Sequence, residues 1–286
     1  MPEPLPSQPT PEPSQPRPVA VPLRFLEWLV LFIALPILAT VNPFGVGVFA
    51  YYTPPVIYVL AVSTRLKPRW LWIVGACCFA VEFATRPLGW RGAGFLPLIA
   101  VVYPYAVIVL LARKRPASRF DPVKLLARFV GVALVVGAGV YAFLPEQFLS
   151  FPRQRPGIFL LVMVLYPLVS ALPQEIMFRS FYFVRYKELF RGDAFLAVSS
   201  VAVFGLLHLP FPMLVLPAPG LTVPVLGVQV THIPITVALS LVAGYFFTST
   251  YLSSRHLGYT WLEHALYGNF IFAIGLGMFF FRSSGG

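Results

Sequence analysis

The chain has 286 residues, of which 58% are hydrophobic and only 11% charged, with a mean hydropathy of +0.80 and a formal net charge of +11. A soluble domain of this length carries about 25% charged residues, so composition excludes that class and points to a polytopic helical membrane protein. The short alternating segments of a transmembrane β-barrel are missing, and the positive charge is what loops between spans carry, so no nucleic-acid partner is implied.

Residues 1–22 hold proline at positions 2, 4, 6, 9, 11, 13, 16, 18 and 22. That density prevents helix formation and leaves little to bury, which predicts a disordered, extended tail. Apolar runs follow at about 23–41, 45–63, 70–85, 95–112, 124–145, 157–175, 194–212, 231–252 and 259–281. They predict an all-α transmembrane bundle of eight or nine segments, with an N-terminal group over 23–150 and a second group over 151–286. Pro54 and Pro55 interrupt the second run, and Pro167 and Pro173 the sixth. With nine spans and the N-terminus in the cytoplasm, sixteen of the 21 basic residues fall on the cytoplasmic side, Arg128 among them. That bias sets the expected orientation. The uncharged, proline-rich loop from Phe211 to Gln229 is expected at the outer interface or partly re-entrant. Cys77 and Cys78 are adjacent in an apolar run and form no disulfide framework.

Four carboxylates stand in or beside apolar runs: Glu27, Glu82, Glu175 and Glu263. Glu27 is near a helix start, where it can reach the interface. Glu82 precedes Arg86, and Glu175 precedes Arg179, by one helical turn, the spacing of an ion pair on one face. An ionisable group inside a membrane segment is a functional-site hypothesis by default. A structural pair is the plain reading of Glu82, and histidines set Glu175 apart. His208 closes the apolar run that begins at Val201, and His264 lies in the otherwise apolar stretch Trp261–Asn269, whereas His232 and His256 belong to a span end and a loop. A carboxylate and an imidazole can activate water as a general base, and a second imidazole with an amide can stabilise an oxyanion. No His-Glu-x-x-His run, Gly-x-Ser-x-Gly elbow, P-loop or dinucleotide fingerprint occurs. Zinc held by Glu175, His208 and His264 stays open beside water activation without a cofactor, which is the preferred reading.

Three ordered motifs, Gln174-Glu175-x-x-x-Arg179, Phe204-x-x-x-His208 and His264 followed by Asn269, resemble the CAAX-protease and bacteriocin-processing (CPBP) family of intramembrane proteases, which includes the CAAX prenyl endopeptidases. The resemblance covers roughly residues 160–275. It implies a catalytic membrane core in the C-terminal half, with His208 helping to activate water, His264 and Asn269 stabilising the oxyanion, and Arg179 holding Glu175. The chain departs from the family pattern at Gln174, where the family has a glutamate taken as the base. It departs again in the i+5 spacing of His264 and Asn269, which a one-residue bulge at Gly268 would realign. The expected activity is an intramembrane endopeptidase cutting a membrane-anchored protein or peptide near its C-terminus or anchor, in a bacterial inner membrane. The alternatives are a catalytically inactive scaffold of immunity type, favoured by Gln174, and a proton-coupled transporter.

Overall fold

The computed structural model describes residues 21–41, 48–64, 68–85, 121–209, 222–225 and 228–279, with a few single positions between 87 and 104. The chain is helical throughout these residues, apart from one hairpin, Thr222–Val225 (β1) with Val228–Thr231 (β2), paired antiparallel. Four helices are long and apolar enough to cross a membrane: Val21–Val41 (α1), Pro122–Phe143 (α4), Pro156–Arg185 (α6), and Ile235–Ser254 within the helix His232–Ser254 (α8). Between them lie Val48–Thr64 (α2), Pro68–Thr85 (α3), Ser150–Gln154 (α5), Asp193–Leu207 (α7) and Leu257–Ala273 (α9). The expected eight or nine segments thus become four candidate spans plus shorter helices. Both α2 and α9 have 17 residues and extend only about 26 Å at 1.5 Å per residue. The run at 95–112 lies mainly outside the described residues, as do the tail before Val21, the side chains of Glu82 and Arg86, and most of the loop before Gln229.

The proline positions behave differently from expectation. Val21 and Pro22, assigned to the tail from sequence, form the first turn of α1, where a missing N–H costs nothing. Helix α2 runs straight through Pro54 and Pro55. Helix α6 is continuous too, but it widens twice into π-turns, at Pro167–Ala171 and Ile176–Phe181. Leu172 N–H reaches Pro167 O and Tyr182 N–H reaches Met177 O, each five residues back. A proline cannot donate to the carbonyl four residues before it, and α9 supplies donors around this break. The Trp261 indole donates to Pro167 O at 2.6 Å, and the Asn269 amide to Met163 O at 3.1 Å. Met163 is the residue four before Pro167, so Asn269 satisfies the carbonyl that Pro167 leaves without an N–H.

The second half of α6 is the axis of the core. Ile176, Phe178, Arg179 and Tyr182 are fully buried. Phe32 of α1 meets the Phe178, Tyr182 and Tyr186 rings edge-on at 5.1–5.7 Å, the geometry that aromatic quadrupoles favour. At one end Glu27 is gripped by both Arg185 nitrogens, at 3.0 and 2.6 Å, and by the Tyr186 hydroxyl at 2.8 Å. Glu27 therefore ties α1 to α6 rather than standing alone at an interface.

Arg128, counted from sequence on the cytoplasmic side, lies inside α4. Its guanidinium pairs with the fully buried Glu263 of α9 and donates to Thr250 of α8 at 2.5 Å. Its carbon end also covers the Phe246 ring at 5.0 Å. A carboxylate at zero exposure requires such a partner, and this one staples α4, α8 and α9 together.

Candidate functional site

Three helices converge on a buried polar cluster. Glu175 sits between the two π-turns of α6 and Arg179 within the second. His208 ends α7, and His264 lies midway along α9. Glu175 and Arg179 are completely buried, and His208 and His264 are 7% and 4% exposed. Glu175 engages both neighbours. Its Oε1 accepts from His264 Nδ1 at 2.8 Å, and its Oε2 stands 3.3 Å from Arg179 Nε. The second contact is an ion pair without an aligned hydrogen bond, since neither atom has a hydrogen-bond partner. Arg179 instead donates through Nη2 to Gly244 O at 3.0 Å. Gly244 has no Cβ, and one built there would lie 2.9 Å from the Phe204 ring. The glycine thus allows the α8 backbone to approach closely enough to offer its carbonyl.

Aromatic rings wall the cluster. Phe204 links its parts: the centroid lies 4.7 Å from the guanidinium carbon of Arg179, 4.9 Å from the His208 ring and 5.7 Å from the His264 ring. Phe247 stacks on His264 at 4.4 Å with planes 20° apart, and Tyr166 meets the same imidazole edge-on at 6.1 Å. The cation of Arg179 is therefore held by one carboxylate, one carbonyl and aromatic faces, where water is scarce and charge interactions are strong. His208 is close enough to His264 and Arg179 to interact electrostatically with both.

The hydrogen bonds fix the tautomers of both histidines. His208 Nδ1 is 2.8 Å from Phe204 O, a carbonyl that can only accept, so Nδ1 carries the proton and Nε2 of the neutral ring is the basic nitrogen. His264 Nδ1 likewise faces a carboxylate oxygen, which leaves its Nε2 as the basic one. Each imidazole is thus oriented through Nδ1, with Nε2 as the basic nitrogen of its neutral ring. Among the described residues no three His, Cys, Asp or Glu side chains are grouped to hold a metal ion. Both oxygens of Glu175, the third residue of the zinc alternative, face His264 and Arg179.

Two residues singled out from sequence stand apart. Gln174 donates through Nε2 to Ser170 at 3.0 Å on its own helix, and its buried Oε1 has no hydrogen-bond partner among the described residues. Asn269 spends an N–H on Met163 O, and the bulge expected at Gly268 is absent because α9 is a regular helix to Ala273. The position one full turn after His264 is Gly268, not Asn269. If Asn269 serves the Pro167 break, Asn269→Leu leaves a buried carbonyl unsatisfied. Stability then falls by about 1–3 kcal/mol while turnover per folded molecule changes little. Unfolding in mild detergent alongside a peptide-cleavage assay measures both.

The chain is an integral membrane protein with an acid–base cluster built inside its helical bundle. Residues 156–281 match the family model described as type II CAAX prenyl endopeptidase Rce1-like. This stretch contains α6, α7, α8 and α9, and hence all of Glu175, Arg179, His208 and His264. No curated protein and no solved structure matches the chain significantly.

Proposed function

We propose that the protein is an intramembrane endopeptidase that hydrolyses a peptide bond in a membrane-anchored protein, near its C-terminus or anchor. The observation that carries this reading is the hydrogen bond between Glu175 and His264 beside the second imidazole, His208. Glu175 cannot readily act as the base itself, because His264 and Arg179 occupy its two oxygens. It acts as a positioning residue, fixing the His264 tautomer and stabilising the imidazolium that forms. His264 Nε2 takes a proton from water, the water oxygen adds to the scissile carbonyl, and the imidazolium returns the proton to the leaving amine. His208 presents the second basic nitrogen and steers the same water. A carboxylate at position 174 is not required in this arrangement, which answers the main argument for an inactive scaffold. The reaction needs no cofactor, and its partners are a membrane-anchored protein or peptide and the lipid bilayer. In this reading the protein belongs to a bacterial inner membrane, and the bias of basic residues in the sequence favours a cytoplasmic N-terminus.

The test is reconstitution of the purified protein in liposomes with two peptide series, one carrying a C-terminal prenyl group and one anchored by a transmembrane helix. Cleavage of either series supports the reading. Intact peptides in both, with proton-coupled flux across the vesicles, would replace it with the transporter.

A further inference from the structure

Amide hydrolysis needs a donor for the oxyanion as well as a base, and most donors near His264 are already committed. His208 and His264 each spend their N–H at Nδ1, on Phe204 O and on Glu175. Asn269 and Gln174 each spend one of two amide N–H groups, on Met163 O and on Ser170, and Trp261 donates to Pro167 O. Arg179 is at zero exposure behind Glu175. Tyr166 offers another donor. It ends the first α-helical stretch of α6 immediately before the Pro167 π-turn. Its ring is edge-on to His264 at 6.1 Å and packs on Phe272 at 5.3 Å. Its hydroxyl has no hydrogen-bond partner among the described residues.

Gly268 locates that hydroxyl. A Cβ built at position 268 would overlap the Tyr166 ring edge and its oxygen. Positions 264 and 268 are one turn apart on α9, so their Cβ sites are about 5–6 Å from each other on the same face. The phenol therefore fills the space that a side chain following His264 on that face would fill, with its O–H in the neighbourhood of the His264 ring. Any side chain larger than glycine at 268 would evict it.

We propose that the Tyr166 hydroxyl is a catalytic residue, the donor that stabilises the oxyanion of the peptide substrate, and that Gly268 exists to admit it. The assignment rests on the peptidase reading. As water adds and its proton passes to His264 Nε2, the carbonyl π electrons move onto oxygen, and Tyr166 O–H donates to that oxygen without giving up its proton. When the C–N bond breaks, the carbonyl re-forms and the hydrogen bond weakens. Fixed donors aimed at a developing charge are among the largest contributors to such reactions.

The experiment compares wild type, Tyr166→Phe and the pair Tyr166→Ala and Tyr166→Ala/Gly268→Asn in liposomes on whichever peptide wild type cleaves. Tyr166→Phe keeps the ring contacts with His264 and Phe272 and removes only the hydroxyl. The expected result is a fall in kcat of about 10²–10³ with KM within threefold, and recovery of at least tenfold when Asn at 268 supplies an amide to the space vacated in Tyr166→Ala. A Tyr166→Phe rate within threefold of wild type overturns the proposal while leaving the peptidase intact. If wild type cleaves nothing, the peptidase reading falls and the assignment falls with it.

Discussion

Replacing Glu175 by Gln is expected to destabilise the fold by about 3–5 kcal/mol and to abolish cleavage, for two separable reasons. Arg179 is fully buried, and among the described residues its carboxylate neighbour within ion-pair distance is Glu175. Removing one partner of a buried pair strands the other charge where water cannot reach it, whereas removing both is often neutral or stabilising. The double variant Glu175→Gln/Arg179→Met should therefore recover most of the lost stability. It should not recover cleavage, because His264 still lacks the carboxylate that holds its Nδ1 proton and stabilises the imidazolium. Unfolding in mild detergent reads the first quantity and turnover per folded molecule the second. A double variant that regains both would reduce the pair to scaffolding.

The second large effect is at the histidines. Loss of a positioned general base costs about 10²–10⁴ in rate, so His264→Ala should lose at least a thousandfold in kcat. Added imidazole is expected to restore part of it, because the substitution leaves a slot between Phe247 and Tyr166 of the right shape. His208→Gln should lose less, about a hundredfold, because His208 steers water that His264 deprotonates. The opposite order, with His208→Gln the more damaging, would transfer the base to His208.

The membrane class, and the residues from which the cluster is built, were legible because charge inside apolar runs is rare and conspicuous. Glu175 and Arg179 announced themselves by helical spacing, and His208 and His264 by their isolation among apolar neighbours. What spacing along one helix cannot convey is which side chains meet across helices. The contact between Glu175 and His264 joins positions 89 residues apart. It orients His264 through Nδ1, which under the proposed mechanism makes it the base, where the family resemblance implies an oxyanion donor.

Asn269 shows a different obstacle. Its partner is a backbone carbonyl exposed by Pro167, and the sequence identified the proline without revealing which donor would answer it. Arg128 and Glu263 were not recognised as a pair, because only packing brings α4 against α9. Tyr166 gave no signal as one of 13 tyrosines. The signal was the missing side chain at Gly268, one turn beyond His264, a vacancy that acquires meaning only with the ring that fills it.

The central claim is that His264, oriented by Glu175, drives direct addition of water to a peptide bond. It is tested most directly by peptide cleavage in ¹⁸O-labelled water, with mass spectrometry of the newly formed carboxyl terminus for wild type and His264→Ala. Wild type should release an acid carrying one ¹⁸O, and His264→Ala should release it at least a thousandfold more slowly. Equal rates of labelled product from the two proteins would contradict the account.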